Sequence, residues 1–217
     1  MKIGTWNLDG KAAAAHTNFV LAQNCDVLLL TEVNEKLVLD GYQLTLGKEE
    51  MLHGKRWAAV ASKQEHIALE SPHSASTAAV IEGTTFVSSI LPWNGSAGNQ
   101  PWEGDNHPDR MKATLNALSP FLHSHQNLVW GGDWNQSLTG PEHAGSDIGR
   151  TALLGLLAEL ELVVPTTTLP HRIDTLRSID HVAVRHGVEQ AERVSAIHNM
   201  KRLSDHDLYS IVTTDTI

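Results

Sequence analysis

Cysteine is almost missing from this sequence, with Cys25 the only one in 217 residues. An internal disulfide is therefore excluded, and a lone thiol fits a reducing compartment. We read Cys25 as a small buried hydrophobe rather than a nucleophile. Long apolar runs are missing too, and none approaches the length needed to cross a bilayer. Met1 to Asn7 enters a strand-like pattern at once, without the apolar core of a secretory signal. These absences lead us to expect a cytoplasmic protein with no stable membrane insertion. Positive charge is scarce, with 16 basic against 25 acidic residues and a net charge of −9. Gripping long duplex DNA by phosphate neutralisation needs a basic face, so that class is disfavoured. Small phosphates and nucleic-acid ends stay open, because a metal bound in an acidic site reverses the local field. The 13 histidines are scattered, and none falls in a His-Glu-x-x-His zinc pattern. No repeat, low-complexity tract or linker interrupts the chain, so residues 1–217 read as one domain.

What is present is a strand-rich alternation. Lys2 to Leu8 reads as a first strand, followed by an Ala-rich helix over about Lys11 to Gln23. Asp26 to Leu30 is apolar enough for a central strand and delivers Thr31-Glu32 at its end. A glutamate there must face a cleft or a counter-charge, since unpaired burial is costly. Tyr42 to Gly47, Trp57 to Ser62, Ala78 to Ile81 and Thr85 to Leu91 form further strands. No amphipathic helix separates them, which predicts antiparallel meandering. Pro92 to Pro108 is a long aperiodic loop of the kind that carries function. Met111, Leu115, Leu118 and Leu122 mark a helix over about Asp109 to His123, and Leu153, Leu156, Leu157 and Leu160 mark another. Leu128 to Trp130, Ile179 to Val184 and Leu208 to Val212 complete the strands.

The chain is organised around Gly131-Gly132-Asp133-Trp134-Asn135. Its glycines permit a sharp turn and close approach to a ligand. Asp133 and Asn135 point the same way if strand geometry persists. A carboxylate holds a hard cation or takes a proton, and an amide binds water or a phosphate oxygen; the same pair also suits an Asx turn. Other strand ends carry polar residues that no structural need evidently explains. They are Asn7 with Asp9, Glu32, Asp180, and Asp205 with His206. Each has a local explanation, whether a turn, a helix cap or a satisfied histidine. In a layered sheet fold, however, strand ends line one rim, and this set together describes a metal-assisted hydrolase site.

The segments Thr5-Trp6-Asn7-Leu8-Asp9-Gly10, Leu30-Thr31-Glu32, Gly132-Asp133-Trp134-Asn135, Ile179-Asp180-His181 and Ser204-Asp205-His206 resemble the endonuclease/exonuclease/phosphatase superfamily. They occur in that family's order and span nearly the whole chain. The resemblance implies an α/β, four-layer α-β-β-α sandwich of two mostly antiparallel sheets. It implies Glu32 as principal metal ligand, supported by Asn7, Asp9 and Asp205 directly or through water. Such oxygen ligands suit Mg²⁺ or Mn²⁺. His206 resembles the catalytic histidine, with Asp180 orienting it and favouring its charged form. Asp133 corresponds to a general base or water-positioner and Asn135 to a phosphate donor; whether His206 or Asp133 takes the proton stays open. One departure is Ile90, standing where many relatives have Tyr or His, with Trp93 and Asn94 just beyond.

The function implied is hydrolysis of phosphodiesters by in-line attack of water, as an endonuclease or exonuclease on nucleic-acid ends or single strands. Asn7, Trp93 and Asn94 are candidate substrate contacts. Trp93 and Trp102 can stack on bases or pack the loop onto the core. Arg172 and Arg177, before Asp180, and Lys201 and Arg202, before Asp205, can hold flanking phosphates or remain solvated. The alternatives are a phosphatase or phosphodiesterase acting on a small molecule or lipid headgroup, and a catalytically inactive binding scaffold.

Overall fold

A computed structural model describes residues 1–96, 101–185 and 187–214. In chain order the first elements are β1 (Lys2–Asn7), α1 (Ala14–Ala22), β2 (Val27–Asn34), β3 (Gln43–Leu46), β4 (Glu50–Leu52) and β5 (Lys55–Ser62). Next come β6 (Ile67–Ala68), β7 (Ser76–Ile81), β8 (Thr84–Ile90), α2 (His107–His123), β9 (Leu128–Asp133) and α3 (Asp147–Glu159). A short 3-10 turn, Pro165–Thr168, precedes β10 (Asp180–Val184), β11 (Val188–Val194), β12 (Ile197–His198), β13 (Lys201–Arg202) and β14 (Leu208–Thr213).

Two sheets result. A seven-stranded sheet runs β11-β14-β1-β2-β5-β3, with β4 also on β5, and a five-stranded sheet runs β10-β9-β8-β7-β6. The pairs β1–β2 and β8–β9 are parallel and the others antiparallel. Continuous apolar runs such as Val27–Leu30 are buried because both faces of each sheet are covered. Ile3, Leu29, Val60 and Ile211 meet Phe86, Val129 and Val182 between the sheets. Helix α1 sets Phe19 and Val20 on the outer face of the first sheet against Trp6 and Leu28. On the far side α2 and α3 press Met111, Leu118, Leu153 and Leu157 onto Trp130 and Val87. Each such side chain contributes roughly 1.5–3 kcal/mol by leaving water. The layers are therefore α-β-β-α, as the resemblance implied.

Several boundaries differ for local reasons. Helix α2 starts at His107, not Asp109, because the Asn106 side chain accepts from Asp109 N and Pro108 fits the first turn. Helix α1 starts at Ala14, not Lys11, and Ala13 offers no side-chain cap. Strand β2 continues through Glu32 to Asn34 instead of ending before it. Strand β11 was not expected: Glu-Gln-Ala-Glu-Arg has no apolar run, and its pairing comes from the β14 edge. The short strands β4 and β6 and the β12–β13 hairpin were missed for the same reason. Part of the Pro92–Pro108 loop, residues 97–100, lies outside the described residues. Among the described helices, none is long and apolar enough to cross a membrane.

Candidate active site

The glycines of Gly131-Gly132 act differently from the sequence expectation. Both lie inside β9, and they admit neighbouring backbone rather than a ligand. A Cβ on Gly132, whose φ is +127°, would collide with Ser89 O, and one on Gly131 would sit 2.5 Å from His181 O. Only glycine lets β8, β9 and β10 close here. That closure sets the register Asp180↔Asp133 between β10 and β9, and Ile90↔Asp133 between β8 and β9.

Strand geometry stops at Asp133. Asn135 has φ +50°, and its backbone N–H donates to Asp133 Oδ1 at 3.0 Å, an Asx turn. Its side-chain amide donates to Leu91 O at 3.1 Å and keeps one N–H free. Glu32 and Asp9 also hold left-handed backbone, at φ +49° and +51°. Non-glycine residues in that region cost of order 1–3 kcal/mol and cluster where structure serves a site.

The side chains converge from both sheets. Asn7 Nδ2 donates to Glu32 Oε1 at 3.0 Å and to Asp133 Oδ2 at 2.9 Å, bridging the two carboxylates. Its side-chain carbonyl oxygen accepts from Asp9 N at 2.9 Å and retains one lone pair. His206 Nδ1 lies 2.8 Å from Asp180 Oδ2, and His206 Nε2 lies 3.7 Å from Asp133 Oδ2. Ser204 ties this to β1: its hydroxyl donates to Asn7 O at 2.7 Å and accepts from His206 N at 3.1 Å. Trp6 Nε1 donates to His206 O at 3.1 Å.

Electrostatics follow from burial and these neighbours. Burial disfavours the charged imidazole of His206, but Asp180 and then Asp133 outweigh it and lift its pKa to about 10. Asp133 is pushed up to about 6, by burial first, with His206 opposing and Asp180 adding. Burial raises Asp180 as well, and His206 pulls it back. Burial raises Glu32, the hydrogen bond from Asn7 opposes this, and the charges of Asp133 and Asp205 raise it further. His181, adjacent to Asp180, goes the other way, to about 4, because burial finds no carboxylate in contact. Its Nε2 lies 3.1 Å from Gln136 O and its Nδ1 3.1 Å from Thr166 Oγ1, which suits a neutral ring.

A cavity of about 240 Å³ opens here, lined by Glu32, Asp133, Asn135, Asp205 and His206 together with Met51, Trp57, Ile90 and Trp93. The structure thus brings Asn7, Glu32, Asp133, Asn135, Asp180, Asp205 and His206 together at or beside this cavity. Asp9 is not brought to the lining; it pairs with Lys11 at 2.6 Å near the surface. Among the expected rim residues, Trp93 alone lines the cavity. Trp102 cannot stack on a base, because it is 1% exposed and wedged edge-on between Trp57 and Trp93. Arg202 is committed to Asp207 at 2.7 Å, and Arg177 donates to Thr168 O. Asn94, Arg172 and Lys201 are exposed outside the lining. Met51 and Trp57 were missed. Trp57 stands across β5 from Glu32, between the pairs Thr31↔Ala58 and Val33↔Arg56, and that register was its only available signal.

These layers are those of the endonuclease/exonuclease/phosphatase fold, which the chain shares. An AP endonuclease from Archaeoglobus fulgidus superposes with a TM-score of 0.76 at 14% identity, over 99% of this chain and 100% of that one. The 3' phosphatase NExo from Neisseria, bound to a product DNA hairpin, gives 0.70 at 18% identity, over 98% and 99%. The endonuclease domain of TRAS1, a telomere-specific non-LTR retrotransposon, gives 0.69 at 15% identity, over 100% and 99%. No family profile and no curated protein matches the sequence.

Proposed function

We propose that this protein is a divalent-metal-dependent phosphoester hydrolase, and within that class a nuclease working on nucleic-acid ends or single strands. The observation that carries the reading is the buried chain Asp180–His206–Asp133, whose Asp133 and His206 share one cavity with Glu32 and Asp205. The donor set fits Mg²⁺ or Mn²⁺: Glu32 and Asp205 offer carboxylate oxygens, and Asn7 one further lone pair. Glu32, raised by burial and by two neighbouring carboxylates, is a group whose charge a cation would relieve. A bound cation would neutralise charge on the phosphoryl oxygens. Asp133, Asp180 and His206 also offer atoms within 4.8 Å of one another. Because His206 Nδ1 is committed to Asp180, this trio is better suited to hold a proton than a metal.

The chain's own residues then divide the work. His206, kept protonated by Asp180 and Asp133, presents Nε2–H to a phosphoryl oxygen. Asp133, ionised above about pH 6, accepts the proton of the attacking water. The free N–H of Asn135 orients the phosphate. This assigns the base to Asp133 rather than His206. The nucleic-acid reading is supported by the activities named for the similar structures, among them the DNA hairpin held by NExo. A small-molecule phosphatase is the second reading, favoured by the observation that Arg172, Arg177, Lys201 and Arg202 do not line the cavity. The lone, buried Cys25 suits the reducing cytoplasm in which we place the protein.

The test is a substrate panel of single-stranded, duplex, abasic and RNA oligonucleotides beside inositol phosphates and phospholipids, each with Mg²⁺, Mn²⁺ or EDTA. Metal-dependent cleavage of an oligonucleotide is the expected result. Turnover of inositol phosphates alone would move the assignment to the second reading. Activity that survives EDTA would remove the metal, and no turnover of any substrate would remove the enzyme.

A further inference from the structure

Half of the cavity has no part in the chemistry just described. Glu32, Asp133, Asn135, Asp205 and His206 account for a phosphate and its cation, yet Met51, Trp57, Ile90 and Trp93 line the remaining wall. The two halves interlock by strand register. Ile90 of β8 is the direct partner of Asp133 of β9, and Trp57 of β5 stands across from Glu32 of β2. Neighbouring strands lie about 4.8 Å apart, so the apolar wall begins one strand spacing from the carboxylates.

The wall is also stiff. Trp102, 1% exposed, contacts Trp57 at a ring separation of 5.1 Å and 70°, and Trp93 at 5.1 Å and 82°. Edge-to-face contacts of this kind hold both rings in place. Trp57 and Ile90 are themselves 6% and 2% exposed, so they form the floor, while Trp93 and Met51 are only partly buried and stand at the opening. Trp93, packed edge-on against the buried Trp102 but itself only partly buried, offers a fixed face to a ligand.

We infer that Trp93, with Met51, Ile90 and Trp57, forms a ring subsite, so that the cavity takes a phosphoester carrying one planar aromatic ring close to the scissile phosphate. This rests on the phosphoester reading and narrows it. A volume of about 240 Å³ falls below the roughly 300–1,000 Å³ of sites for drug-sized ligands. It suits one phosphate and one ring rather than stacked base pairs. The ring belongs to a terminal nucleobase or to an aryl ester, and both present the same flat apolar face.

The experiment measures binding rather than turnover. Methylphosphonate and phenylphosphonate are titrated into the full chain in MgCl₂ and followed by phosphorus NMR, with thymidine monophosphate as a third ligand. Stacking on one aromatic side chain predicts phenylphosphonate binding about tenfold more tightly than methylphosphonate. Trp93→Ala brings that ratio close to one and leaves methylphosphonate affinity unchanged. Trp93→Phe keeps the preference, and Met51→Ala, on the short edge strand β4, lowers it about twofold to threefold. Trp93→Phe and Met51→Ala keep the test open should Trp93→Ala fail to fold. Thymidine monophosphate binding more tightly than phenylphosphonate assigns the ring to a nucleobase, and the reverse order assigns it to an aryl ester. Equal affinity of the two phosphonates for the wild type would overturn the subsite while leaving the phosphate site standing. Equal weakening of both by Trp93→Ala would also overturn it. Failure of every ligand to bind would instead remove the phosphate site and the reading on which the subsite rests.

Discussion

His181 and His206 are both buried beside Asp180, yet the first ring is neutral and the second charged. His181 follows Asp180 along β10, turns to the helical side of the sheet and lies 5.3 Å from the Trp134 ring. Its polar partners are a carbonyl and a hydroxyl, and burial takes its pKa down to about 4. His206 comes from the loop before β14 and meets Asp180 at 2.8 Å and Asp133 at 3.7 Å. Although burial opposes its charge, those carboxylates hold it near 10. Burial alone therefore does not make a histidine neutral; whether a carboxylate stands beside it decides its charge. One strand face delivers a neutral ring, and the opposite face delivers the carboxylate that charges His206.

The largest expected effect comes from deleting the two rings in turn. His206→Ala should reduce phosphoester turnover by on the order of 10²–10⁴, the usual contribution of a positioned acid–base group. His181→Gln should leave turnover within about twofold and instead lower stability by roughly 1–3 kcal/mol, read by urea titration, since Gln136 O and Thr166 Oγ1 lose their fitted partner. Equal losses of activity would erase the distinction between the rings.

Glu32→Gln, next in size, asks whether the charged region is built for a cation. The amide keeps the shape and loses the charge, so calorimetric titration of Mg²⁺ or Mn²⁺ should show binding abolished with the fold intact. Unchanged affinity would put the ion elsewhere.

Asp180→Asn sharpens the comparison further, because it makes the neighbourhood of His206 more like that of His181. The imidazole should titrate at lower pH by NMR, and activity should fall by less than in His206→Ala. The double variant should be little worse than His206→Ala, as two groups acting through one contact do not add. Fully multiplicative losses would show that the pair does not work as a unit.

The smallest effect is on pH-dependent stability. His181 has a folded-state pKa near 4, below its ordinary 6.5, so the unfolded chain takes up the proton first on acidification. Its contribution is complete above about pH 6.5 and is lost as pH falls towards 4. Tm should decline through that window, by about 2–4 °C for each kcal/mol lost. His181→Gln should flatten the decline, leaving the part due to His171, which burial also takes to about 4, and to His66, His73 and His107, which burial lowers as well. His206, raised instead, stabilises below pH 6.5 and loses that contribution only as pH approaches 10. An unaltered slope in His181→Gln would show that this ring is already protonated in the folded state.

Most of the layered fold was legible because its strands are apolar runs and two of its helices are amphipathic. Periodicity of that kind reports burial, and burial on both faces of Val27–Leu30 or Leu128–Trp130 leaves little else for those residues to do. The polar residues at the strand ends were legible for the converse reason, since Glu32, Asp133 and Asp180 stand where an unpaired charge is costly. What those residues touch was decided by tertiary structure. Asn7 as the bridge between Glu32 and Asp133, and Ser204 as the tie from β1 to His206, join positions 126 and 197 residues apart. No local pattern encodes such contacts. The same holds for Asp9, spent on Lys11, and for Trp102, buried between two other tryptophans. Met51 and Trp57 became part of the cavity only through the pairing of β4 and β2 with β5. Sequence alone determined which groups are available for chemistry, because charge and hydrophobicity belong to the residue. Strand register decided which of them meet, because it depends on every other strand in the sheet.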